Sequence, residues 1–316
     1  MTSLDLDQPL VFTPIFKERI WGGRRLESLY RKHLPAEKRI GESWELVDRA
    51  DEHSIVASGP LRGCSLHDLW LHHRAAVFGE VDDAERFPLL IKLLDAEEKL
   101  SLQVHPPPDA AAELNGEPKT EFWYIADARP DADLYVGLKR HSSRDHIEQA
   151  LETGTVEEHV HRVNVRTGDA MFLPSGRVHA IGAGNVIVEI QQNSDTTYRV
   201  FDWNRVDESG TPRELHVEQS LRSIDFEDFE PALIESEGES LVSHELFEID
   251  KWQLTDTRAV SPVGTFAVVI CLTGEVSCAG TSVKPGHLFL VPAGQRERGL
   301  RARSAETSLL RVMLPR

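Results

Sequence analysis

Cysteine is scarce in this chain, and the few cysteines present do not form a disulfide framework. The 316 residues include three cysteines, Cys64, Cys271 and Cys278, and no two of them are spaced as Cys-x-x-Cys. An odd count without framework spacing argues against a disulfide scaffold. Cys271 and Cys278 lie in an apolar, strand-like stretch, so we expect them to be small buried side chains.

Long apolar runs are also missing. The longest purely apolar stretch, Phe266–Leu272, is far too short to cross a bilayer as a helix. The first residues, Met1-Thr-Ser-Leu-Asp-Leu-Asp7, lack the basic region and the apolar core of a signal peptide. These absences predict a protein that is not attached to a membrane and that works in the reducing cytoplasm.

Positive charge is in short supply as well. Acidic residues number 52 against 35 Lys and Arg, which gives a formal net charge of -17. Such a surface repels phosphate backbones, so nucleic acid is not an expected partner. A small anionic substrate stays compatible with this charge only if Lys and Arg cluster locally at its site.

The chain is long enough for two compact units, and its pattern is mainly β. Short apolar runs alternate with Gly and Pro, which favours strands over a helical bundle. We assign a catalytic unit to residues 1–235 and a second unit to residues 236–316, with a linker near Pro231–Ser240. Helical spacing is confined to residues 65–80 and, after an N-cap signal, to Ser142–Glu152.

Individual strands are predicted from apolar runs between turn residues. Thr120–Ala126 and Asp133–Leu138 are interpreted as a strand pair, and Trp21-Gly22-Gly23 as a glycine turn. Further strands are predicted at residues 87–94, 100–105, 161–165, 170–173 and 186–191.

One segment recurs, which suggests two related halves. Gly168-Asp-Ala-Met-Phe-Leu-Pro-Ser-Gly-Arg-Val-His179 and Gly286-His-Leu-Phe-Leu-Val-Pro-Ala-Gly-Gln-Arg-Glu297 share the spacing G-x5-P-x-G-x2. Each copy predicts a strand between two tight turns at one edge of a barrel. Two copies predict two related barrels. Because the second copy ends in Glu297 rather than a histidine, only the first is expected to hold a metal.

Four side chains form a candidate metal-binding set. Gln103 and His105 are two apart on a strand and therefore face the same side. Glu121 opens the next strand, and His179 closes the Pro-Ser-Gly turn. Two imidazoles, a carboxylate and an amide suit Zn²⁺, although other divalent metals accept similar donors. By spacing alone, a metal site and ordinary hydrogen-bonded histidines are about equally supported; the remaining histidines, His53 and His67 among them, receive no role.

Several motifs resemble known proteins. The segment ending at His179 resembles the second cupin motif, with Ala183 in place of that motif's downstream Asn. Four segments, one of which is the segment ending at His179, occur in the same order as in type I mannose-6-phosphate isomerases and resemble that family in its compact bacterial form. They are Leu-Gln103-Val-His105-Pro, Lys119-Thr-Glu121-Phe-Trp-Tyr, Pro-Ser-Gly-Arg-Val-His179 and Glu189-Ile-Gln-Gln-Asn-Ser-Asp195-Thr-Thr-Tyr-Arg199.

This resemblance implies a fold, a reaction and a set of site residues. The implied fold is two cupin (jelly-roll) β-barrels with a small helical segment attached to the first. The implied reaction interconverts mannose 6-phosphate and fructose 6-phosphate with one zinc ion per chain. The implied zinc ligands are Gln103, His105, Glu121 and His179; the implied catalytic or pocket residues are Arg199, Lys119, Glu189, Asp195, Trp21, Lys92 and Ser101.

The chemistry of these side chains suggests roles. An arginine does not readily lose its proton, so Arg199 is expected to stabilise charge on substrate oxygens, the alternative being a structural ion pair with Asp195. Lys119 suits ring opening or proton transfer, and Glu189 is expected either to face the substrate or to support a metal ligand. The general base stays open among Glu189, Lys119, Asp195 and a metal-bound water, and phosphate binding among Lys92, Lys119 and Arg199.

Other functions fit part of the pattern. A metal-dependent isomerase for another hexose phosphate would use the same motifs, because they define the metal better than the sugar's C2 configuration. A non-catalytic sugar-binding cupin would keep the fold without turnover. A cupin dioxygenase is disfavoured because Gln103 stands where a third histidine is usual. The sequence leaves the oligomeric state open.

Overall fold

Strands dominate the computed structural model, which describes residues 4–206, 209–236 and 238–315. The prediction that the chain has no leader rests partly on Met1–Ser3, and the predicted linker contains Glu237; both lie outside the described residues. Among the described helices, none combines the length and the apolar character that a membrane crossing requires. The prediction of a mainly β protein is confirmed.

The strands run through both halves of the chain. In the first half they are β1 (Phe12–Thr13), β2 (Ile15–Gly23), β3 (Ile40–Leu46), β4 (Ile55–Val56), β5 (Leu89–Ala96), β6 (Leu102–Val104), β7 (Glu121–Ala128), β8 (Asp133–Leu138), β9 (Val160–Asn164), β10 (Ala170–Leu173), β11 (His179–Ile181), β12 (Asn185–Gln192) and β13 (Tyr198–Phe201). In the second half they are β14 (Ser240–Ser243), β15 (Glu248–Leu254), β16 (Arg258–Ala259), β17 (Ala267–Thr273), β18 (Val276–Cys278), β19 (Thr281–Val283), β20 (Leu288–Val291), β21 (Gly299–Ala302) and β22 (Thr307–Met313).

Two antiparallel sheets of the first half enclose a common core. The larger has six strands in the order β10-β7-β12-β5-β3-β2, and the smaller has five in the order β13-β6-β11-β8-β9. Trp123 and Ile125 of the larger sheet belong to the same buried cluster as Val136 and Ile181 of the smaller sheet. This burial places the two sheets face to face.

The central strands of the larger sheet are buried on both faces. On β5, Ile91 and Leu93 belong to one core cluster, whereas Leu94 belongs to the cluster between the two sheets. An antiparallel sheet with one face in water would show an alternation of apolar and polar residues. Burial on both faces instead explains why β5 is an almost continuous apolar run.

The second half repeats this arrangement with two smaller sheets. Their strand orders are β14-β15-β22-β17-β20 and β16-β21-β18-β19. Trp252 and Phe289 of the first of these sheets share a buried cluster with Val276 and Leu300 of the second. Cys271 and Cys278 are buried in this cluster, as predicted.

The largest apolar cluster joins the two halves. It contains Ile91 and Ile190 of the six-stranded sheet together with Ile249, Val268 and Leu310 of the second half. The chain's beginning adds to this junction, because the backbones of Leu10 and Leu290 exchange two hydrogen bonds of 2.8 and 2.9 Å. The back face of the six-stranded sheet is therefore covered by the second half.

The described part of the chain also contains five α-helices, which lie outside the sheets: α1 (Arg25–Tyr30), α2 (Leu66–Val77), α3 (Pro108–Glu113), α4 (Arg144–Thr153) and α5 (Val217–Ser223), with a 3-10 turn at Val156–His159. Both predicted helices are confirmed. The Ser65 hydroxyl accepts the Asp68 amide at the start of α2, and Ser143 forms a capping box at the start of α4. Gly154 ends α4 at a φ of 72°.

Two local predictions are wrong. Trp21-Gly22-Gly23 is the end of strand β2 rather than a turn. A side chain on Gly22 would lie 2.3 Å from the amide nitrogen of Gly41, so glycine is needed there for the close approach of two strands. The segments β7 and β8 are both strands but do not pair, because they belong to different sheets.

The recurring segment has the predicted local structure in both copies. Gly168 and Gly286 have positive φ values of 99° and 76°, and each is followed by a four-residue strand, β10 or β20. In both halves this strand pairs with a longer strand of the sheet that faces the shared core, β7 or β17. The repeat therefore marks equivalent positions in the two halves.

Candidate metal centre and its cavity

Three of the four predicted metal ligands converge in the interior of the first half. The donor atoms of His105, Glu121 and His179 all lie within 4.8 Å of one another. His105 Nε2 is 3.2 Å from Glu121 Oε1, and His179 Nε2 is 3.7 Å from Glu121 Oε2. All three residues are almost completely buried.

The two facing sheets bring these residues together. His179 begins β11 and lies opposite Gln103 of β6, so both belong to the five-stranded sheet. Glu121 begins β7, in the six-stranded sheet, where it lies opposite Gln191. The cluster therefore bridges the two sheets, and it depends on their packing as well as on strand register.

Backbone carbonyls fix the orientation of both imidazole rings. His105 Nδ1 is 2.8 Å from the carbonyl oxygen of Thr196, and His179 Nδ1 is 2.9 Å from that of Arg177. A carbonyl oxygen only accepts, so each Nδ1 carries the proton and each Nε2 offers a lone pair toward Glu121. Burial, helped by the Lys119 ammonium, lowers the pKa of His105 to about 3, and burial also lowers the pKa of His179. Both rings are therefore neutral at pH 7, as ligands must be.

Glu121 is a buried carboxylate that needs a cation. Neither of its oxygens has a hydrogen bond of good geometry, and the Lys119 ammonium lies 2.6 Å from Oε1. Burial alone would raise the pKa of Glu121, but Lys119 and His105 outweigh it and hold that pKa well below the usual range. An ionised carboxylate beside two neutral imidazoles is a donor set that fits Zn²⁺.

Gln103 supplies the fourth predicted donor. Its amide Nε2 lies 3.2 Å from His179 Nε2. Rotating the amide by 180° exchanges nitrogen and oxygen with little change in shape, so the same conformation can present the carbonyl oxygen to this centre. The residues thus fit a cation held by two nitrogens and two oxygens.

A cavity of about 370 Å³ adjoins this centre, large enough for a small ligand. Every predicted catalytic and substrate-binding residue lines it, together with Gln103: Trp21, Lys92, Ser101, Lys119, Glu189, Asp195 and Arg199. The lining residues include five cationic side chains and three anionic ones. The local excess of positive charge that an anionic substrate requires is therefore present, against the acidic balance of the whole chain.

Lys92 and Glu189 form a buried ion pair on neighbouring strands. Their charged atoms are 3.0 Å apart, and the second oxygen of Glu189 accepts the Trp123 indole N–H at 2.9 Å. Burial and the nearby Glu121 raise the pKa of Glu189. Burial would lower the pKa of Lys92, but Glu189 and Glu42 raise it, so the lysine stays charged. Glu189 is consequently held in one position with an elevated proton affinity.

Arg199 contributes a guanidinium without a carboxylate partner. Its Nη1 donates to the carbonyl oxygen of Glu214 at 2.7 Å, while its Nε is buried without a hydrogen bond. Among the described residues it forms no ion pair within 4 Å, so the alternative of a structural pair with Asp195 is wrong. Burial and the neighbouring Arg213 lower its pKa. A positive charge without a carboxylate partner among the described residues therefore lines the cavity.

Four polar lining residues were not identified from the sequence: Arg19, Glu42, Thr197 and Arg213. Arg19 precedes Trp21 by two residues on β2, and Thr197 lies midway between Asp195 and Arg199, so strand alternation offered a signal for both. Arg213 lies in an irregular segment and is held by Asp202 at 2.7 Å, with no sequence pattern to indicate it. Glu42 lies in an alternating strand that gives no sign of a site residue. Its Oε1 is 2.6 Å from Nε of Arg19.

Comparisons with known proteins identify the family that this chain resembles. The profile of the phosphomannose isomerase type I catalytic domain matches residues 10–123. Mannose-6-phosphate isomerase ManA of Bacillus subtilis is 38% identical over 92% of this chain and 95% of its own length. A crystal structure of the mannose 6-phosphate isomerase from Bacillus subtilis has a TM-score of 0.85 and 32% identity, covering 96% of this chain and 99% of that one. A more distant structure, a mannose 6-phosphate isomerase bound with zinc and yttrium, shares the fold at 17% identity and a TM-score of 0.76, covering 99% of this chain and 100% of that one.

Proposed function

The chain belongs to the mannose-6-phosphate isomerase family, and from that premise we propose that its cavity interconverts mannose 6-phosphate and fructose 6-phosphate. The observation that carries this proposal is the meeting of His105, Glu121 and His179 beside a cavity that contains the unpaired guanidinium of Arg199. The centre provides cation ligands, and the cavity provides charge for an anionic sugar.

The centre is proposed to hold one Zn²⁺ through Gln103, His105, Glu121 and His179. One carboxylate and three neutral donors leave the ion with a net positive charge, since only Glu121 contributes a negative ligand. When bound, Zn²⁺ supplies Lewis acidity toward a substrate oxygen. Glu121 supports this assignment, because Lys119 lies beside its Oε1 alone and neither carboxylate oxygen accepts a hydrogen bond of good geometry.

The chain's own residues would handle charge and protons. The reaction moves a proton between C2 and C1 of the open-chain sugar through a cis-enediolate. Arg199 is proposed to stabilise the negative charge of that species through its guanidinium, which lines the cavity. Glu189 is proposed as the proton carrier between the two carbons, since Trp123 and Lys92 fix its position beside the cavity and burial raises its pKa.

Lys119, Asp195, Trp21, Lys92 and Ser101 complete the proposed site. Lys119 lies 2.6 Å from Glu121, where it is suited to move a proton between sugar oxygens during ring opening. Lys92 and Lys119 are already paired with buried carboxylates, so neither lysine is proposed to bind the phosphate. Asp195, which is exposed, and Trp21 and Ser101, which are buried, are proposed to contact the sugar hydroxyls.

The proposal also covers the domain architecture of the chain and its location in the cell. The two sheets around each core are proposed to be cupin barrels, divided into residues 1–235 and 236–316; the repeated turn–strand segment supports this division. We place the enzyme in the cytoplasm, and its three free cysteines agree with a reducing environment. No nucleic-acid partner is proposed, given the acidic charge.

A coupled isomerase assay tests the function. Purified protein is incubated separately with mannose 6-phosphate and with glucose 6-phosphate, and the formation of fructose 6-phosphate is followed before and after chelation. We expect turnover of mannose 6-phosphate that chelation abolishes and Zn²⁺ restores. Preference for glucose 6-phosphate would assign another hexose phosphate as substrate, and binding without turnover by zinc-loaded protein would assign a sugar-binding role.

A further inference from the structure

A second cluster of metal-ligand side chains lies outside the cavity. The donor atoms of Asp48, His53 and His67 all lie within 4.8 Å of one another. Asp48 follows β3, His53 precedes β4, and His67 lies in the first turn of α2. None of the three lines the cavity or takes part in the proposed mechanism.

The geometry of this cluster resembles that of the catalytic centre. Asp48 Oδ1 is 3.0 Å from His53 Nδ1 and 2.9 Å from His67 Nδ1. The two imidazole centroids are 4.9 Å apart, against 4.8 Å for His105 and His179. A tetrahedral metal ion with bonds of about 2.1 Å holds its donor atoms about 3.4 Å apart. If each imidazole nitrogen moved about half an ångström away from Asp48 Oδ1, the ion would therefore fit between them.

The charge of Asp48 calls for a cation. This carboxylate is fully buried, and its second oxygen accepts the amide of Phe87 at 2.8 Å. Within the described part of the chain, its only basic neighbours within 4 Å are the two histidines, with no Lys or Arg. A buried carboxylate is stabilised by pairing or by metal coordination.

Solvent reaches this cluster from the histidine side. The side chains of His53 and His67 are 29% and 28% exposed, whereas His105 and His179 are almost fully buried. An ion can therefore enter without opening the core, and water can complete its coordination. Two histidines and one carboxylate with open positions suit a divalent first-row transition metal.

The cluster also contacts the segment that supports the catalytic centre. Asn193 Nδ2 donates to the Asp48 carbonyl oxygen at 2.6 Å, and Arg49 Nη1 donates to the Asn193 carbonyl oxygen at 2.6 Å. Three residues further on, the Thr196 carbonyl accepts His105 Nδ1. From these contacts we propose that Asp48, His53 and His67 form a second, structural site for a divalent transition metal, which braces this segment.

Metal counting on the full-length protein tests the proposal. Protein stripped with chelator is equilibrated with excess Zn²⁺, washed, and analysed for bound zinc by mass spectrometry; Co²⁺ loading is followed by visible absorption. The test variant is His53→Gln/His67→Gln, in which glutamine can still donate to Asp48 but lacks an imidazole. The matched control is His72→Gln, an exposed histidine on the same helix α2.

The expected result is two equivalents of zinc in the wild type and in His72→Gln, and one in the double variant. The double variant should keep the zinc of the catalytic centre, because neither histidine touches the cavity, and anomalous diffraction should show a peak beside Asp48 in the wild type and in His72→Gln but not in the double variant. A single equivalent in the wild type that disappears in His179→Ala would overturn the proposal. Two equivalents in a folded double variant would overturn it as well. Neither result depends on which sugar phosphate is turned over, so a failure of this proposal can be told apart from a failure of the proposed function.

Discussion

Replacing Arg199 with alanine should separate catalysis from metal binding. The guanidinium of Arg199 has one bond to a backbone carbonyl and a buried, unpartnered Nε, so its removal breaks no ion pair of the described residues. Removing one preorganised donor to a developing oxyanion typically raises the barrier by about 2.7–4 kcal/mol. We therefore expect kcat to fall about 100-fold or more, while zinc content and folding stay unchanged.

The matched control for this experiment is Arg213→Ala. Arg213 lines the same cavity, but its guanidinium is already committed to Asp202 at 2.7 Å. An ion pair that is partly exposed contributes little, so we expect a change in kcat of less than about tenfold. The assay is the coupled isomerase reaction under saturating mannose 6-phosphate, with zinc measured on the same samples. An Arg199→Ala enzyme with wild-type kcat, or equal losses in both variants, would refute the reasoning.

Three further predictions follow from the centre and its neighbours. Replacing His179 with alanine should abolish both zinc retention and turnover, and a zinc-free variant with full activity would disprove the centre. Glu189→Gln should lower kcat by about 10²–10⁴ if this carboxylate carries the proton; wild-type exchange of the C2 proton with solvent deuterium in this variant would contradict that role. Chelated protein should lose stability as pH falls, because the pKa of His105 is about 3 in the fold but about 6.5 in the unfolded chain, which therefore binds the proton first. His105 contributes a loss of about 1.4 kcal/mol per pH unit between those two values, so urea unfolding at several pH values should show a shallower pH dependence in chelated His105→Asn than in the chelated wild type, where His179 and Glu121 contribute as well.

The sequence predicts which residues gather around the cavity far better than it predicts how the strands pair. All eleven predicted residues lie at the centre or line the cavity, since the segments that contain them have recognisable residue patterns. The assignment of β7 and β8 to different sheets was missed, because apolar alternation identifies a strand but not its partner. Leu10, which pairs with Leu290, has no local signal for so distant a contact.

Short helices and the contacts of isolated residues were also not predicted from the sequence. Helices α1, α3 and α5 have six or seven residues, too few for a 3.6-residue period to stand out. Gly22-Gly23 has the composition of a turn, but its purpose is the close approach of β2 and β3, which only the folded structure reveals. His53 and His67 are fourteen residues apart in the sequence, in polar surroundings, and nothing before folding connects them to Asp48.

The second half of the chain covers the six-stranded sheet, so substitutions in the second half are expected to affect the cavity on the other side of that sheet. Strands β5 and β12 present Lys92 and Glu189 to the cavity, and the adjacent residues Ile91 and Ile190 to the opposite side, where Leu310 belongs to the same cluster. A change of volume at Leu310 would therefore be transmitted through the sheet to the groups that line the cavity. The second half contributes none of the described lining residues but supports the sheet from behind, so substitutions on its buried face should alter turnover.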